Sequence, residues 1–274
     1  MLELHCHTTC SDGVLTPTQL VQAAHQAGVR AIAITDHDTI SGWEEASAAS
    51  QALPIEIVPG IELSTIWNGR SLHLLGFYPD PVRLQEPLKE RVAERWRRAQ
   101  RMADKLGDLG YPITLPEPTS AMVPGRPHIA NLLREAGYVK TVQDAFDRWL
   151  KEGKAAYVPY EKFTAIEGIE LLRSCGAVPV WAHPYLFQAG TVEALLPTFV
   201  EAGLMGLEVY HPTHTPRQQL QLVEWCDRYN LLKTGGSDYH GSTNPNEPAY
   251  PDLNHFQVPY DLLLPIQKAA QSRL

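Results

Sequence analysis

Residues 5–13 read His5-Cys6-His7-Thr8-Thr9-Cys10-Ser11-Asp12-Gly13, and the division of this stretch between two faces of a strand decides the fold. A cysteine and histidine density of this kind fits a small structural zinc site. It fits equally one corner of a larger metal centre whose other ligands lie far along the chain. Residues 2–6 (LELHC) read as a short strand. Side chains alternate along a strand, so His5 and His7 share one face while Cys6 takes the other. Those three residues therefore share no in-strand site. Cys6 reads as a small buried apolar residue, Cys10 on its loop is a weak ligand, and His5 and His7 form a pair whose partners must come from elsewhere.

Outward from this strand the pattern alternates. Residues 16–28 (TPTQLVQAAHQAG) have the signature of an amphipathic helix: Thr16 as N-cap, Pro17 in the first helical position, Gln19 closing a capping box and Gly28 ending it. Residues 29–35 (VRAIAIT) are a β-branched apolar run of buried-strand type, and Ser41 with Glu44 predicts a second capping box at the next helix. Residues 55–63 and 71–78 are further strands. From about Asp80 to Tyr160 the pattern changes to a long charged helix over residues 88–110 and shorter helical patches from Arg126 and Val142, separated by proline-rich turns. Strand and helix then alternate again: helix 164–176, strand 177–182, helix 191–203, strand 206–210, helix 215–230, strand 231–237. Repeated βα units predict an α/β fold with a parallel sheet, open or closed into a barrel. The expected organisation is a discontinuous barrel domain, residues 1–80 and 156–274, interrupted by a helical cap, residues 81–155.

Composition narrows the function. A chain of 274 residues, 44% hydrophobic, buries a full core without disulfides, and its four scattered cysteines suit a reducing compartment. With no leading basic-then-apolar segment and no long apolar run, the expectation is a cytoplasmic protein with no membrane partner. A formal charge of −8 argues against coating nucleic acid, so no stable complex with long nucleic acid is expected. A small phosphorylated substrate, a nucleotide or short oligonucleotide, stays open because bound cations make a site locally positive. The run Lys89, Arg91, Arg95, Arg97, Arg98 and Arg101 alternates with Glu90 and Glu94 and reads as a solvated helix face.

The ligand-type residues fall where strands end: His5 and His7 after the first, Asp36 and His37 after the second, Glu62 in the third, His183 after PVWA, Asp238 and His240 after KTGGS, with His73 inside its strand. In βα barrels the carboxyl ends of the strands converge on one pocket. A lone histidine on a strand is more often a hydrogen-bonded core residue than a ligand, but His-x-His, Asp-His and Asp-x-His at three strand ends point jointly to a metal site. Asp12 reads as a ligand or as a turn residue before Gly13. Asp36 reads as a residue orienting a ligand imidazole or as helix-start chemistry.

The series HCHTTCSDG, TDHD, GIE, HLLGF, AHP and SDYH, in that order, resembles the PHP (polymerase and histidinol phosphatase) family over essentially the whole chain except the insertion. The layout is similar to stand-alone members acting on nucleotides, the nucleoside 3′,5′-bisphosphate phosphatases and short-RNA 5′ exonucleases, which carry a helical insertion with an Arg-Pro-His element. The resemblance implies a distorted TIM-like (βα)7 barrel holding two or three divalent ions. One would be bound by His5, His7, Glu62 and Asp238, a second by Glu62, His73 and His183, and a third by Asp12, His37 and His240. Asp36, His183 and Asp238 are the expected catalytic residues, and Arg126, His128 and His211 the expected substrate contacts. Arg126 and His128 stand where a helix N-terminus favours anions.

Mixed imidazole and carboxylate ligation suits Mn²⁺, Fe²⁺ or Zn²⁺ better than Mg²⁺. Clustered divalent ions generate a hydroxide near neutral pH and steady the leaving oxygen, so no protein nucleophile is required. The expected activity is hydrolysis of a nucleotide phosphomonoester, foremost a nucleoside 3′,5′-bisphosphate, with 5′ exonuclease action on short RNA allied to it. Histidinol phosphate or another small phosphomonoester is the alternative substrate. An amidohydrolase and a non-catalytic metal-binding module are alternatives of other classes. The first would need a strand-end lysine, yet Lys233 stands at the start of its strand; the second could dispense with some of the nine ligand-type positions.

Overall fold

The computed structural model describes residues 1–118, 122–160, 163–241 and 252–272. Part of the proline-rich turn before Arg126 lies outside them. Among the described residues seven strands follow one another around a sheet in chain order: β1 (Leu2–Glu3), β2 (Ala31–Ile34), β3 (Glu56–Trp67), β4 (Arg70–Phe77), β5 (Val178–Trp181), β6 (Gly206–Tyr210) and β7 (Leu232–Gly235). The sheet nearly closes, because the chain beyond β1 bonds to the chain beyond β7. Leu4 N–H donates to Gly235 O at 3.1 Å, His7 N–H to Tyr239 O at 2.9 Å, and Tyr239 N–H to His5 O at 3.2 Å. Gly236 permits this closure: a Cβ there would stand 2.5 Å from His5 N.

The helices are α1 (Pro17–Gln26), α2 (Trp43–Ser50), α3 (Pro81–Asp108), α4 (Arg126–Glu135), α5 (Val142–Ala145), α6 (Ala165–Ser174), α7 (Val192–Ala202), α8 (Pro216–Tyr229) and α9 (Leu263–Gln271). The capping boxes at Thr16, Thr164 and Thr215 all form. Each such cap contributes on the order of 1 kcal/mol. The box expected at Ser41 does not form. Gly42 occupies the N-cap with no side-chain bond, while Ser41 accepts from the Thr39 hydroxyl.

The expected parallel sheet needs one correction. β4 runs antiparallel to both β3 and β5. Asn68 and Gly69, at φ 49° and 74°, form the two-residue turn that sends β4 straight back along β3. Two consecutive positive φ values match the right-handed twist of a hairpin, and Asn-Gly is the pair that takes them most readily. The remaining pairs are parallel.

Leu2, Ala33, Val58, Phe77 and Val180 share a cluster with Leu263 and Ile266 of α9. Outside the sheet, α1 packs Leu20 and Val21 with Ile32, Ile34 and Cys6. Helices α6 to α8 cover β3 to β6 through Ile169, Leu172, Leu196, Phe199 and Trp225. The long helix starts earlier than expected, at Pro81, with the Asp80 side chain accepting from Val82 N–H. Its first half joins the barrel through Leu84 and Leu88, and its second half packs Met102 and Leu106 against α4 and the Trp149 turn.

The same helix corrects the reading of its basic run. Arg95 and Arg98 are buried, and Arg91 is nearly so. Arg95 Nε donates to Asp38 Oδ2 at 2.6 Å and Nη2 to Ser64 Oγ at 2.5 Å, while Arg91 donates to Asp38 Oδ1 at 3.4 Å and to Ser64 O. Burial works against ionised Asp38, but Arg91 and Arg95 outweigh it and hold its pKa at about 2. Asp38 adjoins His37, so this carboxylate latches the inserted helix to the strand-end loop after β2.

A folded-state pKa below the ordinary carboxylate value means that the ionised group stabilises the fold above about pH 4 and that this contribution fades as pH falls toward 2. The Asp38→Asn variant should therefore lose on the order of 2 kcal/mol at pH 7 in urea unfolding. The gap from the parent chain should narrow below about pH 4. A gap that widened on acidification would refute the latch.

Candidate metal centre

Five imidazoles gather on one carboxylate. Glu62, in the middle of β3 and 1% exposed, has Oε2 at 3.3 Å from His5 Nε2, 3.2 Å from His7 Nε2 and 3.1 Å from His37 Nδ1. Its Oε1 stands 2.8 Å from His73 Nδ1 and 3.0 Å from His183 Nε2. Asp238 Oδ1 meets the same two nitrogens of His5 and His7 at 3.3 and 3.2 Å. Asp12 lies to one side, its carboxylate 3.3 Å from His240 Nε2, 3.7 Å from His7 Nδ1 and 3.9 Å from His37 Nε2.

Strand order explains the gathering. The loops after β1, β2, β5 and β7 open at one end of the barrel and deliver His5, His7, His37, His183, Asp238 and His240. His73 comes from mid-strand because β4 runs the other way, opposite Ser64 of β3. Several of these positions are conformationally costly: His183 (φ 33°) and Asp238 (φ 52°) both sit in the left-handed region, as does Asp38 (φ 52°). Non-glycine residues held there carry about 1–3 kcal/mol of strain each, a cost that recurs at functional sites. Gly13 completes the first loop, since a Cβ there would stand 2.3 Å from His7 O.

The atoms fit divalent ions. His5 Nε2, His7 Nε2, His37 Nδ1 and Asp12 Oδ1 are buried, and among the described residues they find no hydrogen-bond partner. Buried polar atoms left this way are costly unless a cation takes their lone pairs. Ligand-type atoms lie within 4.8 Å of one another in the sets His5, His7, Glu62, Asp238; His7, Asp12, His37, His240; and His37, Glu62, His73. The first is the set expected for one ion. The second adds His7 to the expected Asp12, His37 and His240. The third joins His37 to Glu62 and His73, with His183 on the same Glu62 oxygen.

Without a cation the gathered charges act on one another. Burial works against ionisation of Glu62, but His37, His73 and His5 outweigh it, so Glu62 lies well below the usual carboxylate range. At His7 burial is overcome by Asp238 and Glu62, and its pKa rises to about 10; at His37 burial prevails and the pKa falls to about 3.

The other expected residues take definite places. The Asp36 carboxylate accepts from Thr8 N–H and Oγ at 2.7 Å each and from Ser11 Oγ at 2.6 Å. It braces the 8–11 loop rather than capping α2, and it reaches His7 only through Ser11, whose Oγ is 3.4 Å from Nδ1. His211 is buried and turned to Asp238 Oδ2 at 3.4 Å. His128 accepts from Gly125 N–H at 3.0 Å and so closes the start of α4, while burial holds its pKa below the ordinary value. Arg126 lies over the rings of Phe146 and Tyr157. Lys233 pairs at 2.6 Å with Asp227 of α8, which gives it no place among the gathered ligands. Two contributors escaped sequence reasoning: Glu208 of β6, bonded to His5, and the buried Arg95 beside Asp12 and His37. A lone glutamate inside the apolar GLEVY strand was the available signal for the first.

Comparisons with known proteins give the class. Residues 3–82 match the family model described as the PHP domain. The chain is 36% identical over 245 residues to a 5′-3′ exoribonuclease of Haemophilus influenzae, covering 87% of this chain and 89% of the relative. It is 29% identical over 281 residues to a 3′,5′-nucleoside bisphosphate phosphatase of Chromobacterium violaceum, covering 100% and 97%. A crystal structure from Bifidobacterium adolescentis, provisionally described as a metal-dependent phosphoesterase, superposes with a TM-score of 0.86 at 33% identity, covering 98% and 96%. The chain belongs to the PHP family. It is a metal-dependent phosphoesterase, a hydrolase of phosphate esters. Among the described residues no helix is long and apolar enough to cross a membrane.

Since Glu62 touches every histidine of the first and third sets, Glu62→Gln should lower metal content by more than one ion per chain, measured by elemental analysis after dialysis against Mn²⁺. Loss of a single ion or none would show that Glu62 does not bridge.

Proposed function

We propose that the chain hydrolyses a phosphomonoester of a nucleoside 3′,5′-bisphosphate, with His5, His7, Asp12, His37, Glu62, His73, His183, Asp238 and His240 holding two or three ions of Mn²⁺, Fe²⁺ or Zn²⁺. When bound, such ions supply Lewis-acid charge to the phosphate and lower the pKa of a water. The chain's own residues then fix where the ester lies.

The carrying observation is a cationic group beside the gathered metal-ligand residues. Arg95 stands 5.5 Å over the Tyr160 ring, Arg98 and Arg126 each stand 5.8 Å over the neighbouring Tyr157 ring, and these guanidiniums lower the Tyr160 pKa against the effect of burial. Arg98 lies 3.9 Å over the Tyr160 ring, its Nε donating to Val158 O at 2.8 Å, and among the described residues its buried Nη2 has no partner. Gly125 connects this group to the metal centre, since a Cβ there would be 3.4 Å from Asp12 Oδ2 and 3.8 Å from Arg95 Nη1.

Gathered guanidiniums repel one another, and a planar donor fork matches phosphate. A substrate with one phosphate at the metal ligands and another at this group uses both. Arg126, less buried than Arg95 and Arg98, is the member best placed to receive the second phosphate, helped by the start of α4. On this reading residues 81–155 are a substrate-binding cap. The terminal nucleotide of a 5′-phosphorylated RNA carries phosphorus at the same two positions, and the similarity to a 5′-3′ exoribonuclease supports such RNA as a second substrate here.

Rates should rank adenosine 3′,5′-bisphosphate above AMP and histidinol phosphate, with short 5′-phosphorylated RNA measured alongside. The Arg126→Ala variant should raise KM for the bisphosphate by about tenfold or more, the loss of one charge-assisted contact, and change KM for AMP far less. Its metal content should stay unchanged. Histidinol phosphate as the preferred substrate, or equal KM changes for both nucleotides, would overturn the proposal.

A further inference from the structure

Glu208 is fully buried on β6, within the apolar run GLEVY, and no ligand set that the family resemblance supplies includes it. Both its oxygens are engaged. Oε1 stands 2.9 Å from His5 Nδ1, and Oε2 accepts from the His183 backbone N–H at 2.7 Å. An ionised carboxylate only accepts, so Nδ1 of His5 must carry the hydrogen. In the neutral ring that leaves the lone pair on Nε2, the atom that faces Glu62 and Asp238. The second bond anchors His183 in its left-handed backbone (φ 33°, ψ 59°), which aims Nε2 at Glu62 Oε1.

We propose that Glu208 is a positioning residue that sets the tautomer of His5 and the backbone of His183, and so holds in register one histidine from each of two ligand sets. This rests on the metal-ligand reading above. Glu208 also falls within 4.8 Å of ligand-type atoms of His5 and His211. His5 faces the other ligands with Nε2 and Glu208 with Nδ1, so Glu208 stands behind the ring and acts through His5 and His183.

The chemistry of the amide isostere makes the idea testable. In Glu208→Gln the amide oxygen still accepts from His183 N–H. The amide NH₂ then faces His5 Nδ1, and the ring answers by moving its hydrogen to Nε2, where it blocks the lone pair. The effect therefore runs through His5. Mn²⁺ binding is measured by calorimetry and elemental analysis on the full chain, on Glu208→Gln, on His5→Gln and on the double variant, with thermal melting in chelator as the fold control.

The expected result is a loss of about 10 to 100-fold in affinity for one class of ions in Glu208→Gln, as for other residues that orient metal-binding histidines. On the His5→Gln background the same change should add little, because coupled residues are non-additive. Glu208→Ala, which frees both donors, should lose more. If Glu208→Gln does not fold, Glu208→Asp, too short to reach both donors, is put through the same cycle with His5→Gln. Wild-type affinity in Glu208→Gln, or a loss that adds in full to that of His5→Gln, overturns the inference. A parent chain that binds no Mn²⁺ overturns the metal reading as well.

Discussion

The structure depends on one buried carboxylate. Glu62 is 1% exposed, yet five imidazoles from four strands or strand ends stand within 3.3 Å of its two oxygens. A carboxylate in a protein interior is expensive unless paired, and so are imidazole nitrogens with no donor to meet. The imidazoles around Glu62 favour its ionised form, but the lone pairs of His5, His7 and His37 that face it stay without a donor among the described residues. A cation in the pocket would take those lone pairs, and the barrel ends are arranged as a frame for one. The closure of the sheet at Leu4, His7 and Tyr239 brings Asp238 and His240 to the same place.

That frame carries charge outward in two directions. Through Asp38, next to His37, it reaches Arg91 and Arg95 of α3, so the inserted helix is fastened to the loop that carries His37 by an ion pair rather than by apolar contact alone. Through Asp12 it comes close to Gly125 at the start of α4. Helices α3 and α4 and the gathered ligand-type residues thus share one electrostatic network. Arg98 and Arg126 form its cationic far side, where the proposed function puts the second phosphate of the substrate.

Most of the frame was legible because two periodicities leave marks in a sequence. Alternation in residues 2–7 separates Cys6 from His5 and His7, and Cys6 indeed packs with Leu20 and Ile32 under α1. The βα rhythm gave an α/β sheet, open or closed, with ligand-type residues at its strand ends, and the family resemblance supplied the barrel and the grouping of those residues. What was illegible depended on tertiary context. The direction of β4 rests on a two-residue turn at Asn68 and Gly69, which a βα rhythm overrides unless the turn itself is weighed. The Ser41 box was locally sound but did not form, the Ser41 hydroxyl bonding Thr39 instead. Arg95 and Arg98 look like their exposed neighbours in sequence, because helical periodicity does not reveal that the facing wall is made of Asp38, Ser64 and Tyr160. Glu208 was missed although an acid inside the apolar GLEVY strand is itself a signal, because what it bonds is set by the His5 ring and the His183 N–H, which only the fold brings to it.

Anomalous diffraction from Mn²⁺-loaded crystals tests the central claim most directly. The account predicts at least two peaks per chain within bonding distance of Glu62, one of them also contacting His5, His7 and Asp238. Peaks confined to other surfaces, with Glu62 touching none, would contradict it.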